Sequence, residues 1–91
     1  INIEQEEKTM PEITRFYGIL IKMFFSEHNP PHFHAIYGEY NGTFELDPLK
    51  MTEGDLPNKA QKLVMEWAEK YKDELLKMWN EQNITKLPPL E

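Results

Sequence analysis

Hydrophobic and polar positions follow two different periods along this chain. Residues 13–25, ITRFYGILIKMFF, are dense in aromatic and β-branched side chains, which suit a pleated, half-buried surface. Gly18 bends or bulges this run, so the best-defined strand is 19–25, with 13–17 as a shorter extension. The connection Ser26-Glu27-His28-Asn29-Pro30-Pro31 ends it, because its two prolines cannot donate to a ladder and Pro31 pushes Pro30 toward an extended conformation. Strand character resumes over 32–40. Asn41-Gly42 before Thr43-Phe44-Glu45-Leu46 then predicts a two-residue hairpin turn, since both centres of a type I′ turn require positive φ.

Counting back from that turn pairs Tyr40 with Thr43, Glu39 with Phe44 and Tyr37 with Leu46. One face then collects Phe33, Ala35, Tyr37, Phe44 and Leu46, and the other His32, His34, Ile36, Glu45 and Asp47. Pairing Phe25 with His32 adds Leu20 and Phe24 to the first face and Ile19, Ile21, Met23 and Phe25 to the second. Neither face is fully polar, so the sheet is expected to be covered twice, once by helices and once by a partner or a second copy.

Beyond Asp55 the period changes. Leu56, Ala60, Leu63, Val64, Trp67, Ala68, Tyr71, Leu75, Leu76 and Trp79 recur at intervals of three and four, an amphipathic helical stripe. Asp55 is placed to cap its start, with Pro57 in the first turn. One helix of this length would reach about 39 Å and overhang strands of about 20 Å, so two segments joined near Tyr71 and Asp73, the latter as second N-cap, fit better. The predicted fold is α+β: a three-stranded antiparallel meander, then a helical hairpin or one kinked helix packed on one sheet face. Residues 1–9 form a loose arm, 10–86 the domain and 87–91 an extended tail.

With 91 residues and 40% hydrophobic content the chain is one globular domain. There is no cysteine, which removes disulfides and thiolate zinc sites. No apolar run approaches about 18 residues and no leader pattern opens the chain, which points to a cytoplasmic protein rather than a membrane protein. The net charge of −6 is concentrated: Glu39, Glu45, Asp47, Glu53 and Asp55 stand against Lys50 alone. Without a basic patch or stripe, a nucleic-acid partner loses its main source of affinity. The acidic stretch reads as a solvated edge and loop.

All three histidines fall within His28-Asn29-Pro30-Pro31-His32-Phe33-His34. Residues two apart on a strand point the same way, so His32 and His34 share a face, and His28 can fold back from the proline-stiffened loop. Three convergent imidazoles suit zinc or another divalent first-row metal with an open position for water. The structural alternative is that His32 and His34 hydrogen-bond across the hairpin and hold the proline turn. A metal-free nuclease would use His32 or His34 as base and acid, with Arg15 or Lys22 on the phosphate, but the acidic total opposes it. Ser26, the only serine, lacks a nucleophile-elbow context. Trp67, Tyr71 and Trp79 read as the cover of the sheet rather than a cofactor box.

Arg15-Phe16-Tyr17-Gly18, the PPHFH run from Pro30 to His34, Leu56-Pro57 and Glu66-Trp67-Ala68 together resemble the small proteins grouped as domain of unknown function 4160, over roughly residues 10–90. The resemblance implies a small bacterial or archaeal protein, often encoded beside a second small protein in an arrangement like a toxin–antitoxin module. It implies no catalytic role for any histidine. Two functions are therefore expected. The first is a protein-interaction module, binding a companion protein or a second copy through Ile21, Met23, His32, His34 and Ile36. The alternative is a metal-binding protein with hydrolase or nuclease activity centred on His28, His32 and His34.

Overall fold

The computed structural model describes residues 12–24 and 27–91; the predicted arm over 1–9, the Met10-Pro11 start, Phe25 and Ser26 lie outside them. Five antiparallel strands pair in sequence order: β1 (Glu12–Phe16), β2 (Ile19–Lys22), β3 (His32–Tyr37), β4 (Tyr40–Leu46) and β5 (Leu49–Gly54). Two helices follow, α1 (Asn58–Lys70) and α2 (Lys72–Glu81). The α+β class and the meander stand, but the sheet has five strands rather than three. The first addition is β1, a strand of its own. Tyr17 (φ 50°) and Gly18 (φ 80°) close a two-residue turn with both centres in the left-handed region, so the chain reverses where a bend was expected. The second is β5, drawn from the acidic stretch and joined to β4 through Asp47-Pro48, whose peptide bond is cis.

The hairpin predicted at Asn41-Gly42 closes three residues earlier. Tyr37 pairs with Tyr40 around Gly38-Glu39, while Asn41 and Gly42 lie inside the ladder opposite Ile36 and Ala35. Gly42 serves packing instead: a Cβ there would sit 2.8 Å from the Met51 sulfur and 3.2 Å from the Phe44 ring. The register change is even, so the β3 and β4 side chains keep their predicted faces, with Phe33, Ala35, Phe44 and Leu46 buried. Tyr37, at the end of its strand, is instead exposed.

The β2 assignment is overturned. Ile21 pairs with Ala35 and Lys22 with His34, an odd shift from the Phe25–His32 pairing, because the connection spans residues 23–31 rather than 26–31. Ile19, Ile21 and Met23 therefore lie in the core, at most 1% exposed, while Leu20, Lys22 and Phe24 take the opposite side. The expected register would have buried the Lys22 ammonium. The observed one buries three apolar side chains, each worth roughly 1.5–3 kcal/mol.

The helices break at Tyr71, as the two-segment reading predicts. Their caps differ: α1 starts after Pro57 without a side-chain cap, and Asp55 Oδ1 instead accepts the Asn41 backbone N–H at 3.0 Å. Asp73 lies with Glu74 in the first turn of α2, where negative charge complements the helix dipole. α1 packs against β5 and α2 against β4, closing a core centred on fully buried Trp67, whose ring centroid lies 5.8 Å from Phe16 and 6.0 Å from Phe33. The stretch after α2, without regular secondary structure, docks on the core. The Leu87 N–H donates to the Ile13 carbonyl, and the Trp67 indole donates to the Pro88 carbonyl at 2.8 Å. No helix among the described residues is long and apolar enough to cross a membrane.

Candidate metal centre

His32 and His34 share the sheet face opposite Phe33, which lies between them and points into the core. Their ring centroids are 5.2 Å apart and both rings are half-buried, with side-chain exposures of 15% and 22%. β3 begins with His32 directly after the proline loop, and three contacts tie this stretch to the rest of the fold. The Leu46 N–H donates to the Pro31 carbonyl at 3.0 Å, the Trp79 indole donates to Asn29 Oδ1 at 3.0 Å, and the His32 ring rests against the Trp79 ring at 4.9 Å. The Asn29-Pro30 peptide bond is cis.

Glu27, at the start of that loop, folds back onto both imidazoles. One oxygen, Oε1, lies 2.7 Å from His32 Nε2 and 3.0 Å from His34 Nε2. Partial burial pushes the Glu27 carboxyl up, but hydrogen bonds from His34 and His32, with the charges on those rings, hold it below its ordinary value. On the far side of His32, Nδ1 lies 2.8 Å from the Pro30 carbonyl, which can only accept, so Nδ1 carries a hydrogen and Nε2 faces Glu27. His34 Nδ1 is 3.5 Å from Thr43 Oγ1, and the Phe24 ring closes against His34 at 4.6 Å.

The sequence expectation named His28, His32 and His34. The structure brings His32 and His34 together with Glu27, the donor atoms of all three lying within 4.8 Å of one another, while His28 is exposed and not among them. The expected interaction face is also altered: Ile21 and Met23 lie in the core, and Leu20 and Phe24 stand beside His34 and Ile36 instead. Glu27 escaped sequence reasoning as a ligand because five and seven residues separate it from the histidines; only the doubled-back proline loop makes them neighbours.

Two imidazole nitrogens and a carboxylate oxygen form a donor set suited to zinc(II) and related first-row ions. Metal–ligand bonds of about 2.0–2.1 Å in a tetrahedron place donors about 3.3 Å apart, so seating an ion requires Oε1 to withdraw by about half an ångström and the two imidazole nitrogens, within 4.8 Å of each other, to turn toward one point. Glu27 is on a loop and 35% exposed, which permits its movement, while the ladder holds the histidine backbones and leaves their rings to turn about the side-chain bonds.

A family model described as Domain of unknown function (DUF4160) matches residues 18–80, well over half of the chain and including the whole cluster. No curated protein and no solved structure matches.

Proposed function

We propose, for a chain that belongs to the DUF4160 family, that Glu27, His32 and His34 form a binding site for one divalent transition-metal ion, with zinc(II) the best match to the donors. The observation that carries this reading is the aim of His32. Its Nδ1–H is held by the Pro30 carbonyl, the outer hydrogen bond that metal-bound histidines characteristically make, and that bond directs Nε2 at the point shared by the other two donors. A metal-bound imidazole nitrogen must be free of its proton, so affinity falls as pH is lowered. Three protein donors leave at least one position for water or substrate, the arrangement of a catalytic rather than a purely structural zinc.

Zinc titration calorimetry on protein purified without an affinity tag tests this. One ion per chain is expected, with His32→Ala and His34→Ala each weakening it at least about a hundredfold and His28→Ala leaving it unchanged. Equal affinity in all three variants, or no binding by the parent, refutes it.

A partner-binding reading finds support at the other end of the sheet. Tyr17, Tyr37 and Tyr40, respectively 60%, 40% and 38% exposed, surround the Tyr17-Gly18 and Gly38-Glu39 turns. Tyrosine is a residue type enriched at interface hot spots. Size-exclusion chromatography with light scattering, alone and with the companion small protein, tests it; a monomer that ignores the companion counts against it.

A further inference from the structure

Lys22 stands beside the cluster without a described counter-ion. It is the direct cross-strand partner of His34 between β2 and β3 and lies on the same solvent-facing side, an arrangement that brings paired Cβ atoms to about 4.5–5.5 Å. On its other flank it pairs with Glu12, but that carboxylate is engaged by Arg15 at 2.9 Å. Among the described residues no ion pair reaches Lys22, although it is only half-exposed. Thr43 follows His34 in the same cross-strand row, so an ammonium, an imidazole and a hydroxyl line up across β2, β3 and β4.

We infer that the metal site takes a dianionic, phosphate-type oxyanion, one oxygen occupying the open position on the ion and another facing the Lys22 ammonium. This rests on the metal-binding reading above. The charge count favours a dianion: a divalent ion and Lys22 contribute three positive charges, the Glu27 carboxylate removes one, and Glu45, cross-strand from His32, is offset by Lys50 on its other flank. Rings of Phe24 and Trp79 against His34 and His32 exclude water from two sides and strengthen the remaining electrostatic terms. A lysine acts here as a point charge beside a phosphate, and the metal supplies the geometry.

The test uses the full chain loaded with cobalt(II), whose visible absorption reports its ligands. Inorganic phosphate is titrated into the parent, Lys22→Ala and Lys22→Arg, with acetate as a parallel arm. The expected result is a saturable spectral change with phosphate, weakened at least tenfold in Lys22→Ala, largely retained in Lys22→Arg, and much weaker with acetate, while cobalt affinity is equal in all three proteins. Cobalt binding without a phosphate response, equal phosphate affinity in Lys22→Ala, or acetate binding as tightly as phosphate would overturn the oxyanion assignment alone. Failure of cobalt to bind overturns the metal reading and this inference with it.

Discussion

Replacing Trp79 by phenylalanine separates what the core contributes to stability from what it contributes to the metal site. Trp79 is 5% exposed, its indole N–H donates to Asn29 Oδ1 at 3.0 Å, and its ring supports His32 at 4.9 Å. Phenylalanine leaves roughly 40 Å³ unfilled, worth about 1 kcal/mol at about 24 cal/mol per Å³. The lost hydrogen bond adds about 1 kcal/mol. A total near 2 kcal/mol lowers the Tm of a domain of this size by about 8–16 °C. Trp67→Phe is the matched control: it removes the same volume and one indole hydrogen bond, to the Pro88 carbonyl, and Trp67 packs on Phe16, Phe33 and Tyr71 rather than on either histidine. Calorimetric melting is therefore expected to show similar losses in both variants. Zinc affinity is expected to diverge, because only Trp79 holds Asn29, the residue before the carbonyl that orients His32, and loss of such outer support costs about 10–100-fold. Equal zinc affinities in two equally destabilised variants would refute the coupling.

Gly54 has φ 115°, and a Cβ there would lie 2.3 Å from the Asn41 carbonyl oxygen and 2.6 Å from Gly42 Cα, both backbone atoms that cannot swing away. Gly54→Ala is expected to lose more than about 3 kcal/mol in urea unfolding, against about 1–2 kcal/mol for Gly38→Ala, where φ is 60° and nothing lies within 4 Å. Comparable losses would show that backbone crowding between β4 and β5 is not limiting. Glu27 gives the pH dependence. Its folded-state carboxyl sits below the unfolded value of about 4.3, so its contribution is fully present above that pH and lost as pH falls through the lower folded value. Metal-free parent protein is therefore expected to lose Tm more steeply than Glu27→Gln in melts taken below about pH 4. Parallel curves down to about pH 2 would refute the sign.

Much of the architecture was legible because it rests on local periodicity. The three-and-four spacing from Leu56 to Trp79 marks both helices, and the length of that stripe against short strands calls for the break found at Tyr71. Alternation within 32–46 assigns the inward side chains even though the hairpin closes at Gly38-Glu39, because an even register change preserves parity. β2 shows the converse. Its face depends on whether the connection to β3 holds an odd or even number of residues, which a proline-rich loop does not declare. The alternative register turns Lys22 inward among Leu20 and Phe24, which the cost of burying an unpaired ammonium opposes.

The pairing of two imidazoles follows from composition and strand geometry alone, for His32 and His34 flank an inward aromatic and must emerge on one side. Their third partner does not follow. Glu27 rather than His28 meets them because the proline loop doubles back, pinned by Trp79 from α2 and by Leu46 from β4, two residues far away in the chain. Short-range order is written in neighbouring side chains and their spacing. The distance between groups on a loop and a strand depends on the whole packed core that anchors the loop.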